Sequence, residues 1–274
     1  MAVPIELLHL SMAVSQPSLV SPRLRVHVGE DAEVTILERY AGVGDGVSFT
    51  NAVTELTVGP HARVQHIKIQ DEPSTNFHLA SLFFRLDRAS TLRSHAITFG
   101  GRIARNDIVA VLDGEGGECV LNGLYVASGQ SLIDTHTTID HAKPHCPSHE
   151  LYKGILTGRS RAVFNGKIIV RPDAQKTDAK QTNKALLLTD DAQINTKPQL
   201  QIFADDVKCT HGAAIGQLDD DALFYLRSRG IAFGDARHLL IEAFAGEVLN
   251  GLPIEALRAP LMETLEAKLS AEPA

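Results

Sequence analysis

The chain has 274 residues, 44% hydrophobic and 22% charged, the balance of one large or two modest folded domains rather than of a disordered chain. A net charge of −7 provides no basic footprint for phosphates, so nucleic acid is not an expected partner. No window approaches the roughly 18 uncharged apolar residues of a membrane span, and the start, Met1 to Leu10, has no basic region or small-residue cleavage site of a secretory signal.

Three cysteines, Cys119, Cys146 and Cys209, are an odd number at wide spacing. That argues against a disulfide framework and for a reducing, cytoplasmic setting. There is no Trp and only 5% aromatic residues, so the core is built from aliphatics.

From the amino terminus a short module recurs: apolar, any, apolar, three turn-type residues, Ala, any, apolar. Val26-His-Val-Gly-Glu-Asp-Ala-Glu-Val34 is the first copy and Leu56-Thr-Val-Gly-Pro-His-Ala-Arg-Val64 the second. Ile168-Ile-Val-Arg-Pro-Asp-Ala-Gln-Lys176 and Leu186-Leu-Leu-Thr-Asp-Asp-Ala-Gln-Ile194 follow, with looser copies at Phe84 to Leu92 and Leu156 to Val163. Each reads as strand, tight turn, strand, with Gly, Pro and Asp supplying the turn torsions. Such a unit buries its inner face only by stacking on the next, about 4.8 Å away. The repeated Ala32, Ala62, Ala174 and Ala192 suit inward positions or tight corners. Residues from about 15 to 215 therefore read as a β-solenoid, with an aligned β-sandwich as the competing arrangement.

Between the copies lie stretches that invite chemistry. Gly42-Val-Gly44-Asp-Gly46 lacks the Gly-Lys-Ser/Thr ending of a phosphate cradle and reads as a coil loop. His136, His141, His145, Cys146 and His149 crowd near Asp134 and Asp140, but without paired metal-ligand spacing, and structure is favoured over metal. Asp107, Asp134 and Asp140 are the only carboxylates remotely suited to a glycan-cleaving β-solenoid, and no aromatic platform accompanies them.

The segment Asp205-Asp-Val-Lys-Cys-Thr-His-Gly-Ala-Ala214 is different. If Val207 to His211 is a strand, Cys209 and His211 project to one face, about 6–7 Å apart at the backbone. A thiolate beside an imidazole suits iron, zinc or iron–sulfur chemistry, yet two donors do not close a tetrahedral site. The alternative is that Cys209 is a small buried hydrophobe and His211 a turn residue.

After residue 215 the period changes to helical. Leu218 to Gly230 has acids first, basic residues last and a glycine stop. A second helix is expected from Asp235 to Leu249, and a third near Pro253, broken or kinked at Pro260. On the second helix Ala236, Leu239, Leu240, Ala243, Phe244 and Val248 form a stripe that Ile241, Ala245 and Leu249 widen. An arc that wide implies two buried sides, or one side on the core and one on a partner.

Several of these blocks together resemble the SufB/SufD family of the SUF iron–sulfur cluster assembly system. They are Ala162-Val-Phe-Asn-Gly166, Lys176-Thr-Asp178, Gln181-Thr-Asn183, Thr196 to Ile202, Ala204 to Ala213 and Leu223 to Ile231. The SufD branch is nearer: SufB-like chains carry an acidic stretch in place of Lys208 to Ala213, and cysteines in place of Lys184 and Leu226.

The resemblance implies a right-handed parallel β-helix core (residues 1–215) and a C-terminal helical segment (216–274) that binds an ATPase. It implies no catalysis by the chain itself. A SufB-like paralogue and the SufC ATPase are the implied partners, with a homodimer possible in isolation. The contact residues expected on the helices are Leu223, Leu226, Leu240, Ile241, Phe244, Ala245 and Leu249. His211 and Cys209 become ligands of iron or a transient iron–sulfur cluster shared with the partner, none being held by the isolated chain. The family's usual N-terminal helical region is not expected within this sequence, which reads as beginning inside the β core, as a short-form homologue or a fragment would; that region's roles are not carried over. A purely structural interaction protein without a metal role stays open as the alternative.

Overall fold

A computed structural model describes residues 3–13 and 16–270. Its strands, in chain order, are β1 (Ile5–Met12), β2 (Ser18–Val20), β3 (Arg23–Val28), β4 (Glu33–Val43), β5 (Ser48–Val58), β6 (Arg63–Asp71), β7 (Phe77–Leu86), β8 (Thr91–Thr98) and β9 (Ile103–Leu112). There follow β10 (Glu118–Ala127), β11 (Leu132–His141), β12 (Pro147–Leu156), β13 (Arg161–Val170), β14 (Asp178–Leu187), β15 (Gln193–Thr196), β16 (Gln199–Ile202) and β17 (Lys208–Gly216). Three α-helices follow among the described residues: α1 (Asp220–Ser228), α2 (Phe233–Leu249) and α3 (Arg258–Ser270).

Successive strands alternate between two sheets. One runs β1-β4-β6-β8-β10-β12-β14-β17; the other runs β15-β13-β11-β9-β7-β5-β2, with β3 and β16 on its margins. The pairings are parallel, and Glu33 opposite Arg63 shows that one coil takes about 30 residues. This is a parallel β-solenoid, not a sandwich, because every connection returns the chain to the same sheet one spacing further on.

The repeated module is the corner between the sheets. Backbone bonds such as Ala62 N–H to the Gly59 carbonyl (3.1 Å) and Ala174 N–H to the Arg171 carbonyl (3.0 Å) close each turn. Ala62, Ala174 and Ala192 are buried there, and Ser90 and Ser160 fill the same place in the looser copies. Ala32 occupies such a corner too, but it is exposed because it lies on the first of these turns. The copies at Ile168 and Leu186 are close in sequence because they occupy opposite corners of the same coil, joining β13 to β14 and β14 to β15.

The interior core is aliphatic with aromatic inserts: Leu56, Leu82, Phe84, Leu86, Ile108, Tyr125 and Phe164 are buried in one cluster. A second cluster forms outside the solenoid, where α2 and α3 cover the distal halves of one sheet's strands. Ile67, Ile97, Leu124 and Ile155 meet Ile241, Ala245, Leu249, Leu261 and Leu265 there. The helical segment therefore shares a core with the sheet it follows.

Details of the helices differ from the sequence expectation. α1 begins at Asp220, with the Asp219 carboxylate accepting the Ala222 N–H (2.9 Å). Pro260 does not break the third helix; it sits in the first turn of α3, where its missing N–H has no intrahelical partner to lose. No helix among the described residues is long and apolar enough to cross a membrane.

Candidate functional site

Among the described residues the last strand, β17, is hydrogen-bonded on one side only, to β14. Register settles where its side chains point: Cys209 lies opposite Ala179 and His211 opposite Gln181. Ala179 and Gln181 are buried, inward-facing positions of β14. Cys209 and His211 thus continue the solenoid's interior rows to its last rung, where the next coil is absent.

The two differ in setting. Cys209 is half-buried, packed on the small cluster of Ile168, Val170, Ala174 and Ala179. Burial pushes its thiol pKa up. His211 is exposed. One thiol and one imidazole are donors of the kind that soft and borderline metals take, and two are too few to close a tetrahedral site.

Behind β17 the interior rows hold buried polar groups. Gln181 Nε2 donates to Glu150 Oε2 at 2.6 Å, and Glu150 faces Gln181 across β12 and β14. Asn183 donates to the Tyr125 hydroxyl (3.2 Å) and to the Tyr152 carbonyl (3.3 Å). The Gln181-Thr-Asn183 motif is therefore two inward amides at strand period. That period, applied to polar as well as apolar residues, is the signal that could have marked them.

A second interior network lies nearer the amino-terminal end, and sequence reasoning did not find it. His66 Nε2 contacts Glu38 Oε1 (2.9 Å), and the Tyr40 hydroxyl donates to Glu38 Oε2 (2.8 Å). Lys68 Nζ donates to His78 Nε2 and Asn106 Oδ1, both 2.8 Å, and His78 Nδ1 faces Glu72 Oε2 (2.8 Å). Burial moves the Lys68 pKa down to about 8 and the His78 pKa down to about 4. The partners satisfy one another, which fixes strand register.

The other sequence candidates disperse. His141 is buried with Nε2 3.0 Å from the Ser148 hydroxyl, and burial lowers its pKa to about 4. Cys146 donates to the Gly114 carbonyl, His136 pairs with Asp134, and His149 is exposed. Among the described residues no group of three or more His, Cys, Asp or Glu side chains converges as a metal cage. Arg105 holds both Asp107 and Asp134, and Arg171 holds Asp140, so these carboxylates form no acid–base pair.

The expected helical contact face needs correction. Ile241, Ala245 and Leu249 are 5%, 0% and 1% exposed and face the protein's own sheet. Leu240 and Phe244 are half-buried; Phe244 lies under the Lys153 ammonium, 4.2 Å from the ring centre. Leu223 and Leu226 are half-buried on α1. Much of the arc is core because sheet and helix α3 flank α2 together, while Leu239 and Ala243 on its other flank stay exposed. Apolar surface is instead offered by Phe224 (74% exposed), Tyr225 and Phe233.

Residues 11–244 match a family profile described as the SUF system FeS cluster assembly, SufBD core domain. An iron–sulfur cluster assembly SufBD family protein of Synechocystis is 39% identical over 273 residues, covering 97% of this chain and 60% of the relative. The iron–sulfur cluster assembly protein SufD of Escherichia coli is 37% identical over 270 residues, covering 98% of this chain and 64% of the relative. A chloroplastic protein of Arabidopsis thaliana is 35% identical over 240 residues, covering 87% and 50%. The chain thus spans less than two thirds of the length of these relatives.

Proposed function

The chain belongs to the SufBD family of iron–sulfur cluster assembly proteins, and on that premise we propose that it is a SufD-type scaffold subunit, without catalysis of its own. It pairs with a SufB-like paralogue along β17 and binds a SufC-type ATPase through its C-terminal helices. Iron or a nascent cluster is the cargo, held transiently between His211 and Cys209 and donors of the partner. The observation that carries this reading is the placement of both donors on one face of β17, a strand whose outer edge is open. An open edge recruits another strand through backbone bonds, and a two-fold pairing brings the same row of each chain together. The same geometry allows a homodimer of the isolated chain.

For the ATPase, α1 supplies the surface. None of its residues is buried, and Phe224 and Tyr225 stand out from it beside Phe233 at the start of α2. Exposed aromatics of that kind are anchors for a partner's pocket.

Anaerobic reconstitution of the three-component complex tests the reading. His211→Ala and Cys209→Ala should each assemble the complex yet accumulate less cluster, seen by visible absorbance, with the histidine change the more damaging. Wild-type accumulation in both variants overturns the metal role and leaves a purely structural subunit.

A further inference from the structure

The Gln181 side chain is 2% exposed, and its amide is oriented by one strong bond. With Nε2 donating to Glu150 Oε2 at 2.6 Å, the amide oxygen Oε1 points away from the carboxylate. That oxygen is buried and accepts no hydrogen bond among the described residues. A buried acceptor without a donor costs about 1–3 kcal/mol, so its retention calls for a partner that arrives.

The next residue along the row is His211. It is the register partner of Gln181, one strand spacing or about 4.8 Å away, on the same face. An imidazole has two nitrogens, and the bond made by one decides whether the other carries a lone pair for metal. An amide oxygen can only accept. It therefore binds the protonated nitrogen and leaves the other free.

We infer that Gln181, clamped by Glu150, is the positioning residue for His211: its buried amide oxygen, unpaired in this structure, takes the imidazole N–H when the exposed His211 side chain turns inward along the row, and so presents the second ring nitrogen, unprotonated, at the open edge. This rests on the scaffold reading above for its purpose, but not for its geometry. Glu150 acts one step further back. As a carboxylate accepting from Nε2 it forbids the flipped amide, which would offer His211 an NH₂ group and select the wrong nitrogen. The chain Glu150–Gln181–His211 runs along one interior row from β12 through β14 to β17.

The test uses the full chain with ¹⁵N-labelled histidine at pH 8, the His211 signals being identified by their loss in His211→Ala. Nitrogen shifts report the ratio of the two neutral tautomers. In the wild type one tautomer should dominate; in Gln181→Met the ratio should change by threefold or more. Glu150→Gln, which keeps the volume but permits the flipped amide, should move it in the same direction and decides the matter if Gln181→Met fails to fold. An unchanged ratio in these variants overturns the inference.

Cluster accumulation in the reconstituted complex separates the two claims. Loss of an outer partner typically lowers metal binding 10- to 100-fold, so Gln181→Met should cut accumulation by about tenfold or more. A tautomer change with His211→Ala still fully active would retain the positioning and refute the metal role. A damaging His211→Ala with no tautomer change in either Gln181→Met or Glu150→Gln would do the reverse.

Discussion

Gly166 on β13 is glycine because the Gln181 side chain occupies the space of its missing Cβ: an added methyl would lie 2.7 Å from Gln181 Cδ. The two blocks Ala162 to Gly166 and Gln181 to Asn183, from facing sheets, are one packing unit. Gly166→Ala should therefore destabilise the chain by about 1–3 kcal/mol through overpacking, read as a lower urea midpoint. It should also displace the amide, so the His211 tautomer ratio should shift as in Gln181→Met. A variant as stable as wild type would mean that the amide moves aside freely.

The two helical surfaces should respond oppositely to charge. Ala245→Asp places an unpaired carboxylate at a fully buried position between α2 and the sheet and should cost more than about 3 kcal/mol, lowering Tm or solubility. Phe224→Asp, at an exposed site, should change stability by less than about 0.5 kcal/mol while abolishing co-purification with the ATPase. If Phe224→Asp keeps the ATPase, α1 is not its docking face.

The solenoid was legible because its corners repeat a turn chemistry at strand period, and Leu56, Val58, Ala62 and Val64 show the alternation without interruption. Cys209 and His211 were legible as a same-face pair by the same period. The hidden part was polar. Glu38, His66 and Lys68 occupy interior positions that a hydrophobic pattern marks as breaks, and only the closed fold shows that Glu38 meets His66 while Lys68 reaches His78 and Asn106 on the facing sheet. The helix arc was ambiguous for the opposite reason. Amphipathic periodicity reports how much of α2 is covered, but not whether the cover is α3 with its own sheet or another protein.

Glu38 should make the fold sensitive to acid. Burial alone would raise its pKa, but bonds from His66, Tyr40 and Thr54 outweigh that and hold it at about 2, below its ordinary 4.5. A carboxylate depressed on folding contributes stability that is complete above about pH 4.5 and disappears as pH falls towards 2. Glu38→Gln should lose about 3–5 kcal/mol at neutral pH, since it leaves a buried partner set without its charge. It should also lack the wild type's fall in stability between pH 4.5 and 2, as followed by urea unfolding. A parallel fall in both proteins would place the acid-sensitive group elsewhere.

Glu150 should act with the reverse sign. Its complete burial pushes the pKa up to about 7, and the bond from Gln181 offsets only part of that. The folded protein then binds a proton that the unfolded chain has released above pH 4.5, so stability falls as pH rises from about 4.5 to 7 and levels off beyond. A rise from 4.5 to about 7 corresponds to about 3 kcal/mol. Glu150→Gln removes the ionisable group while keeping a side chain that can bond to Gln181. It should be close to wild type near pH 4.5 and more stable by up to about 3 kcal/mol at pH 8. Urea midpoints at the two pH values give the difference directly. A gap that does not grow with pH would mean that Glu150 is not the buried acid driving this dependence. A gap that does grow means that the chain gives up stability at neutral pH to keep a carboxylate behind Gln181, as a clamp on that amide requires.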